Sequence, residues 1–272
     1  ALGIVFMPED GVIEPYLLTH GYARAARSRG VAIRTGAAVE GLVFDGNTVR
    51  GVRTTAGEIR SRWVVDAAGA WTGLIGRDAG VRLPMTPVRS HYWMTATDSG
   101  FPSDMPYVIL PNAGAYVRPE LGGLIVGLRE TQSLSVDART LPSNITGVSF
   151  GDETDGWRIL LEASPRLRRF YPGLDEARFT RFITGLSTYT PDGEFVIGPV
   201  PKLEGYLVAA GCCGAGIAAS GGIGLAIAEL VAGRPSSFDL EPFRADRFGA
   251  IDSDSEQFRA RCAAARSAKV SG

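Results

Sequence analysis

The sequence predicts an α/β protein in two parts, a parallel-sheet domain that carries a β-meander and an antiparallel sheet with a helix (α+β) inserted into it. Three observations carry this reading. Between Gly205 and Gly233 a short apolar run passes directly into a glycine turn and a long apolar helix. Within the first 69 residues a helix and a strand precede three short runs with hairpin signals, and a strand ending in small residues follows them. From Pro84 to Leu128 short alternating runs are linked by Gly, Pro and Asn turns. The boundaries expected are 1–83 for the first part of the parallel-sheet domain, 84–180 for the inserted domain, 181–240 for the return segment and 241–272 for a tail.

Each element has its own signal. Glu14-Pro15 opens a helix, since proline suits a first turn whose N–H has no intrahelical partner. Leu18, Tyr22, Ala25 and Ala26 then share one face, Arg24, Arg27 and Arg29 the other, and Gly30 ends it. Val31 to Arg34 reads as a short strand. Ala38–Phe44, Val49–Thr54 and Glu58–Arg60 read as a meander, turning at Asp45-Gly46-Asn47 and Ala56-Gly57. Trp63 to Gly69 is a buried strand. In the inserted part Val88–Thr97, Tyr107–Leu110, Ala115–Arg118 and Leu124–Leu128 are antiparallel strands. Leu134 to Asp155 is polar and aperiodic, the pattern of a long mobile excursion. Trp157–Leu161 and Arg166–Tyr171 are expected to form a helix broken around Pro165, and Arg178–Leu186 returns as a strand. The tail beyond Phe243 is charged and amphipathic, and its last ten positions are expected to fray.

The most informative unit is Tyr206–Ala210, an apolar run bounded by glycines that suits an interior strand. Gly211, Gly214 and Gly216 let the backbone take positive φ and approach a ligand closely. The helix expected over Ile217–Val231 offers unpaired N–H groups and a partial positive charge at its start. An anionic or electron-rich ligand belongs there.

In order, YTPDG, FVIGPVP, GYLVAAGCCGAGI and FDLEPFRADRFG resemble the closing half of the glycine/sarcosine oxidase and D-amino-acid oxidase superfamily. AYVRPELGGLIVGLRE and FDLEPFRADRF are most similar to its dimethylglycine/sarcosine dehydrogenase branch. The match runs from about Gly11 to Cys262. It implies a partial FAD-binding, Rossmann-like domain with an inserted substrate domain. One departure is large, because no GxGxxG turn follows a strand in the first 60 residues. The chain therefore looks like the later portion of a flavoenzyme, a truncated or incomplete product, and the absent unit would supply the central strand and the main diphosphate contacts.

The same resemblance assigns the cofactor residues. Ala67, Ala68, Gly69 and Trp71 would pass beside the ADP half of FAD, and the backbone of Val39 would meet the adenine. Cys213, Gly214, Ala215, Gly216 and Ile217 would face the pyrimidine side of the flavin, where charge grows on reduction, with Gly211 a further cofactor-binding residue in the turn before them. Asp192, in the turn Thr190-Pro191-Asp192-Gly193, would lie beside the ring. Bland readings stand next to these: an ordinary buried strand with a glycine turn, a core valine, and an aspartate that only caps its own turn. Gly185 stands where some relatives attach the flavin through cysteine, which excludes attachment at that point; attachment through a histidine in the absent segment stays open. Gly214-Ala215-Gly216-Ile217-Ala218-Ala219 also fits a nicotinamide-binding fingerprint, but no strand ending in an acidic residue follows it.

On the inserted sheet the catalytic candidates are His91, Tyr116, Arg118 and Arg129. A family substrate is an amino acid or N-methyl amino acid, whose carboxylate is suited to a guanidinium and whose amine a tyrosine such as Tyr116 could orient. Surface arginines and core tyrosines are the alternative. The expected reaction is FAD-dependent oxidation of a secondary or tertiary amine by hydride transfer; the alternatives are a non-catalytic fragment that has lost FAD binding and an NAD-dependent dehydrogenase. With three cysteines and two histidines, a zinc site is not expected. A net charge of −1 gives no reason to expect nucleic acid or membrane partners. The expected location is cytoplasmic, and an edge left open by the absent strand is expected to pair, with a second copy or with a complementing N-terminal chain.

Overall fold

The computed structural model describes residues 3–269. Helix α1, Pro15–Arg27, is capped by the Glu14 carboxylate, which accepts from the Leu17 amide at 2.7 Å, and none of its residues is buried. Strands β1 (Val39–Asp45), β2 (Thr48–Thr54) and β3 (Gly57–Arg60) form the meander in that order. Gly51 is required there: its φ is 152°, and a Cβ would lie 2.2 Å from the Ile59 carbonyl oxygen. Strand β4, Val64–Asp66, is followed by the short helix α2, Thr72–Ile75, which packs against β1.

The inserted sheet comprises β5 (Thr86–Thr95), β6 (Val108–Leu110), β7 (Ala115–Glu120), β8 (Gly123–Leu128) and β9 (Phe179–Tyr189). All pairs are antiparallel, in the order β6-β7-β8-β5-β9. Helix α3, Glu153–Leu167, covers one face, setting Leu160, Ala163 and Leu167 on Trp93, Val117, Val126 and Leu128. Gly156 lets α3 approach, since a Cβ would come 2.4 Å from the Phe182 ring. The chain then returns through β10 (Val196–Pro199) and β11 (Tyr206–Ala210), with β11 antiparallel to β10 and parallel to β4. Val49, Leu83, Met85, Val196, Tyr206 and Val208 form the core beneath this sheet. Helices α4 (Gly216–Val231) and α5 (Glu256–Ala268) complete the described chain. None of the described helices is long and apolar enough to cross a membrane.

The α/β class and the inserted antiparallel sheet agree with the sequence reading, and three local expectations need correction. Val31–Arg34 has no regular structure and pairs with none of the described strands, and Val31 and Ile33 are exposed. The helix expected to break at Pro165 is continuous: Pro165 lies in its last turn, and the carbonyl it leaves unpaired belongs to Leu161, which faces solvent. The fraying expected over the last ten positions does not begin at Ala263, since helix α5 continues to Ala268. Helix α5 is capped by Ser255 and buries Phe258, Cys262, Ala263 and Arg266, while 270–272 lie outside the described residues. The segment 134–155 is pinned near its start by a bridge between Val88 and Ser135 and by a turn over Ala138–Thr140 capped by Asp137.

One face stands open. Apolar on every side, α4 nevertheless buries only Ala226 and Glu229, and Ile217, Leu225 and Val231 are 38–46% exposed. In the sheet that α4 packs on, β4 is an edge strand among the described residues. A helix apolar all round normally lies inside a protein, and parallel strands are normally covered.

Candidate cofactor and substrate site

The parallel pairing of β4 and β11 puts the ends of both strands on the same edge, with Val208 beside Asp66. In open α/β sheets the crevice at such carboxyl ends holds the ligand. Past β11 the chain turns sharply. Gly211 has φ 63° and sits so close to β10 that a Cβ would lie 2.9 Å from the Val196 side chain. Cys213 (φ 49°) and Gly214 (φ 80°) follow, and α4 begins at Gly216 with no side chain capping it. Gly214 and Ile217 are exposed, Ala215 and Gly216 half-buried, and Cys213 buried. The first-turn amides of α4 therefore have neither an intrahelical partner nor a side-chain cap, and they open to solvent at the sheet edge.

At the end of β4 the Asp66 carboxylate, 3% exposed, accepts from the Ala68 amide at 3.1 Å and from the Tyr206 hydroxyl at 2.5 Å. Burial raises its pKa, against the bonds from Tyr206 and Ala68. This bond ties the β4 turn to β11. Gly69 takes φ 58° at the start of a short 3-10 turn through Trp71, and a Cβ there would meet nothing within 4 Å. Ala67 and Gly69 are exposed, and Ala68 and Trp71 half-buried. Val39 pairs with Thr54 at the start of β1, on the separate meander sheet.

Asp192 gives both oxygens to protein. Oδ1 accepts from the Thr190 hydroxyl (2.8 Å) and the Glu194 amide (3.1 Å), and Arg247 grips both oxygens at 2.8 and 2.9 Å. Burial opposes its ionisation, but Arg247, Glu194 and Thr190 outweigh it and hold the carboxyl at about 2. This is a turn-capping role.

The substrate-sheet candidates divide between two faces. Tyr92, Gly127 and Tyr116 lie in one row across β5, β8 and β7, and alternation puts Arg118 on their side of β7. The Tyr116 ring lies over Gly127, where a Cβ would be 2.0 Å from it. Arg129, two residues beyond Gly127, donates to the carbonyl of Lys269, while Arg118 pairs with Glu120. His91 does not join them. It lies on the α3 side against Trp93 and Phe182, with ring centroids 4.8 and 5.8 Å away, and neither nitrogen has a hydrogen-bond partner among the described residues. Burial, then Arg266 and Arg89, push its pKa down to about 3, so it is a neutral core histidine.

The sequence reading missed what α5 brings. Arg266, 4% exposed, reaches Glu130, which also takes Arg89 at 2.5 Å, and Arg266 bonds Ser133 at 2.9 Å. Lys269 donates to the carbonyl of Cys213 at 2.5 Å. The available signal was the spacing of Phe258, Cys262, Ala263 and Arg266 behind the Ser255 cap.

The model of the FAD dependent oxidoreductase family, DAO, matches residues 1–230. The 4-methylaminobutanoate oxidase (formaldehyde-forming) of Paenarthrobacter nicotinovorans is 32% identical over 95% of this chain and 31% of its own length. Human mitochondrial dimethylglycine dehydrogenase is 30% identical over 90% of this chain and 29% of its own. The chain thus spans about three tenths of the length of these curated relatives. Among solved structures, L-proline dehydrogenase from P. horikoshii superposes with a TM-score of 0.71 at 26% identity, covering 86% of this chain and 59% of that one. Glycine oxidase from Geobacillus kaustophilus gives 0.68 at 27% identity, over 86% and 58%. The chain belongs to the family of FAD dependent oxidoreductases.

Proposed function

We propose that this chain forms the flavin-ring and substrate portions of an FAD-dependent amine oxidoreductase that acts on a secondary or tertiary amine bearing a carboxylate. The observation that carries the reading is the uncapped, solvent-open start of α4 at the shared edge of β4 and β11. These residues fit part of FAD. The amides of Gly214, Gly216 and Ile217 suit the electron-rich pyrimidine edge, the Ala215 amide being taken by the Cys212 carbonyl at 2.8 Å, and the exposed turn at Ala67–Gly69 suits the adenosine end. Bound there, FAD would accept a hydride from the carbon next to the amine nitrogen. Arg129 would hold the substrate carboxylate, with Tyr116 orienting the amine and the aromatic row of Tyr92 and Tyr116 limiting access of water. The oxidised amine is an iminium, which adds water and separates into an amine and a carbonyl compound.

The diphosphate of FAD needs more than the described residues supply. We infer that the open face of α4 and the free edge of β4 take a further strand-and-helix unit. Anaerobic titration tests the function: protein equilibrated with FAD, alone and with any complementing chain, is mixed with sarcosine, dimethylglycine or 4-methylaminobutanoate. Bleaching of the flavin band by one of these amines is the expected result. A chain that binds FAD but is bleached by none of them is not an amine oxidoreductase of this class, and one that stays colourless in every combination favours the non-catalytic alternative.

A further inference from the structure

The residue that follows the last helix bridges the two halves of the candidate site. Lys269 touches both, its ammonium donating to the Cys213 carbonyl of the cofactor loop and its own carbonyl accepting from Arg129 of the substrate sheet. Its position is secured by burial along α5. Phe258, Cys262 and Ala263 pack on Val88, Tyr189 and Cys213. Arg266 is clamped to Glu130 and Ser133, and Ser267 bonds Ser133 at 2.9 Å.

The loop needs such a hold. Cys213 has φ 49°, a left-handed conformation uncommon for a residue with a side chain. Its amide is tied to the Thr188 carbonyl at 2.8 Å, and its carbonyl to Lys269. The Cys213 carbonyl and the Gly214 N–H belong to one planar trans peptide, in which the two groups point in opposite directions. Fixing the carbonyl on α5 therefore fixes the direction of the Gly214 N–H, and a flip of this peptide would put a carbonyl oxygen in its place.

We propose that Lys269 is a positioning residue that holds the Cys213–Gly214 peptide so that the Gly214 N–H faces the ligand at the start of α4. The part that concerns the flavin rests on the function proposed above. Loss of the hold loosens the loop and removes one donor from the ring edge that gains charge on reduction.

Two measurements on the full chain, with Lys269→Met and Lys269→Arg, test this. In the cofactor-free protein, hydrogen exchange at the Cys213 amide is expected to quicken at least tenfold in Lys269→Met and to return toward wild type in Lys269→Arg. Wild-type exchange in Lys269→Met overturns the proposal. In protein carrying FAD, the reduced flavin should lose about tenfold in stability relative to the oxidised form, a shift of about 30 mV to more negative potential, again restored by Arg. An unchanged potential overturns the orienting role. Failure of the wild-type chain to take up FAD under any condition defeats the proposed function instead, and the exchange result still decides whether Lys269 holds the loop.

Discussion

Replacing Tyr206 by Phe removes a single hydroxyl from the centre of the parallel sheet, and the consequence depends on pH. Tyr206 is fully buried and donates to Asp66 at 2.5 Å, where the carboxylate is 3% exposed. The variant leaves one buried carboxylate oxygen without its donor, which costs about 1–3 kcal/mol. The folded pKa of Asp66 already lies above the usual carboxylate value, because burial outweighs its hydrogen bonds. A group raised on folding contributes stability that is present below its unfolded pKa and is lost as pH rises through the folded one. Without the phenol the carboxyl is raised further, so the deficit of the variant is smallest near about pH 4 and grows toward about pH 8. Urea unfolding at both values reads it, and in heat the shift should be about 2–4 °C per kcal/mol. A deficit below about 0.5 kcal/mol, or one that is equal at both pH values, would refute the claim that this bond ties the β4 turn to β11.

Other outcomes follow from the same structure. Glu130→Ala leaves Arg89 and Arg266 buried without their carboxylate, and should cost about 3–5 kcal/mol, read by the urea midpoint together with earlier proteolysis within α5; a midpoint within error of wild type would show that the network does not hold α5. The uncovered α4 and the free edge of β4 should make the isolated chain associate, so light scattering behind size exclusion should give a mass that rises with concentration. A monodisperse monomer across the range would contradict that expectation.

How far the sequence speaks depends on whether an element's partners lie close along the chain. The meander and the β11–Gly211–α4 unit were legible because hairpin turns, a bounded apolar run and positive-φ glycines are local signals. The strand read at Val31–Arg34 failed for the opposite reason: a ladder needs a neighbour, and none of the described strands pairs with it. The helix through Pro165 was misread because a proline in a last turn interrupts only a carbonyl that water can reach.

The site shows the same division. Ala67–Gly69 and Cys213–Ile217 follow the ends of two strands that share one sheet edge, as the family resemblance implies. His91 reads from sequence as a candidate catalytic residue on a strand, yet register sends it to the opposite face from Tyr116, a distinction set by pairing more than 20 residues away. Lys269 and Arg266 were hidden by their place in a charged tail, since only the packed helix reveals that they reach Cys213 and Glu130.

The most direct test is residue-specific. Backbone amide resonances of the isotope-labelled chain, recorded during titration with FAD, should move first and furthest at Gly214, Ala215, Gly216 and Ile217. Saturable binding that leaves these four amides unmoved while others shift would contradict the account at its centre.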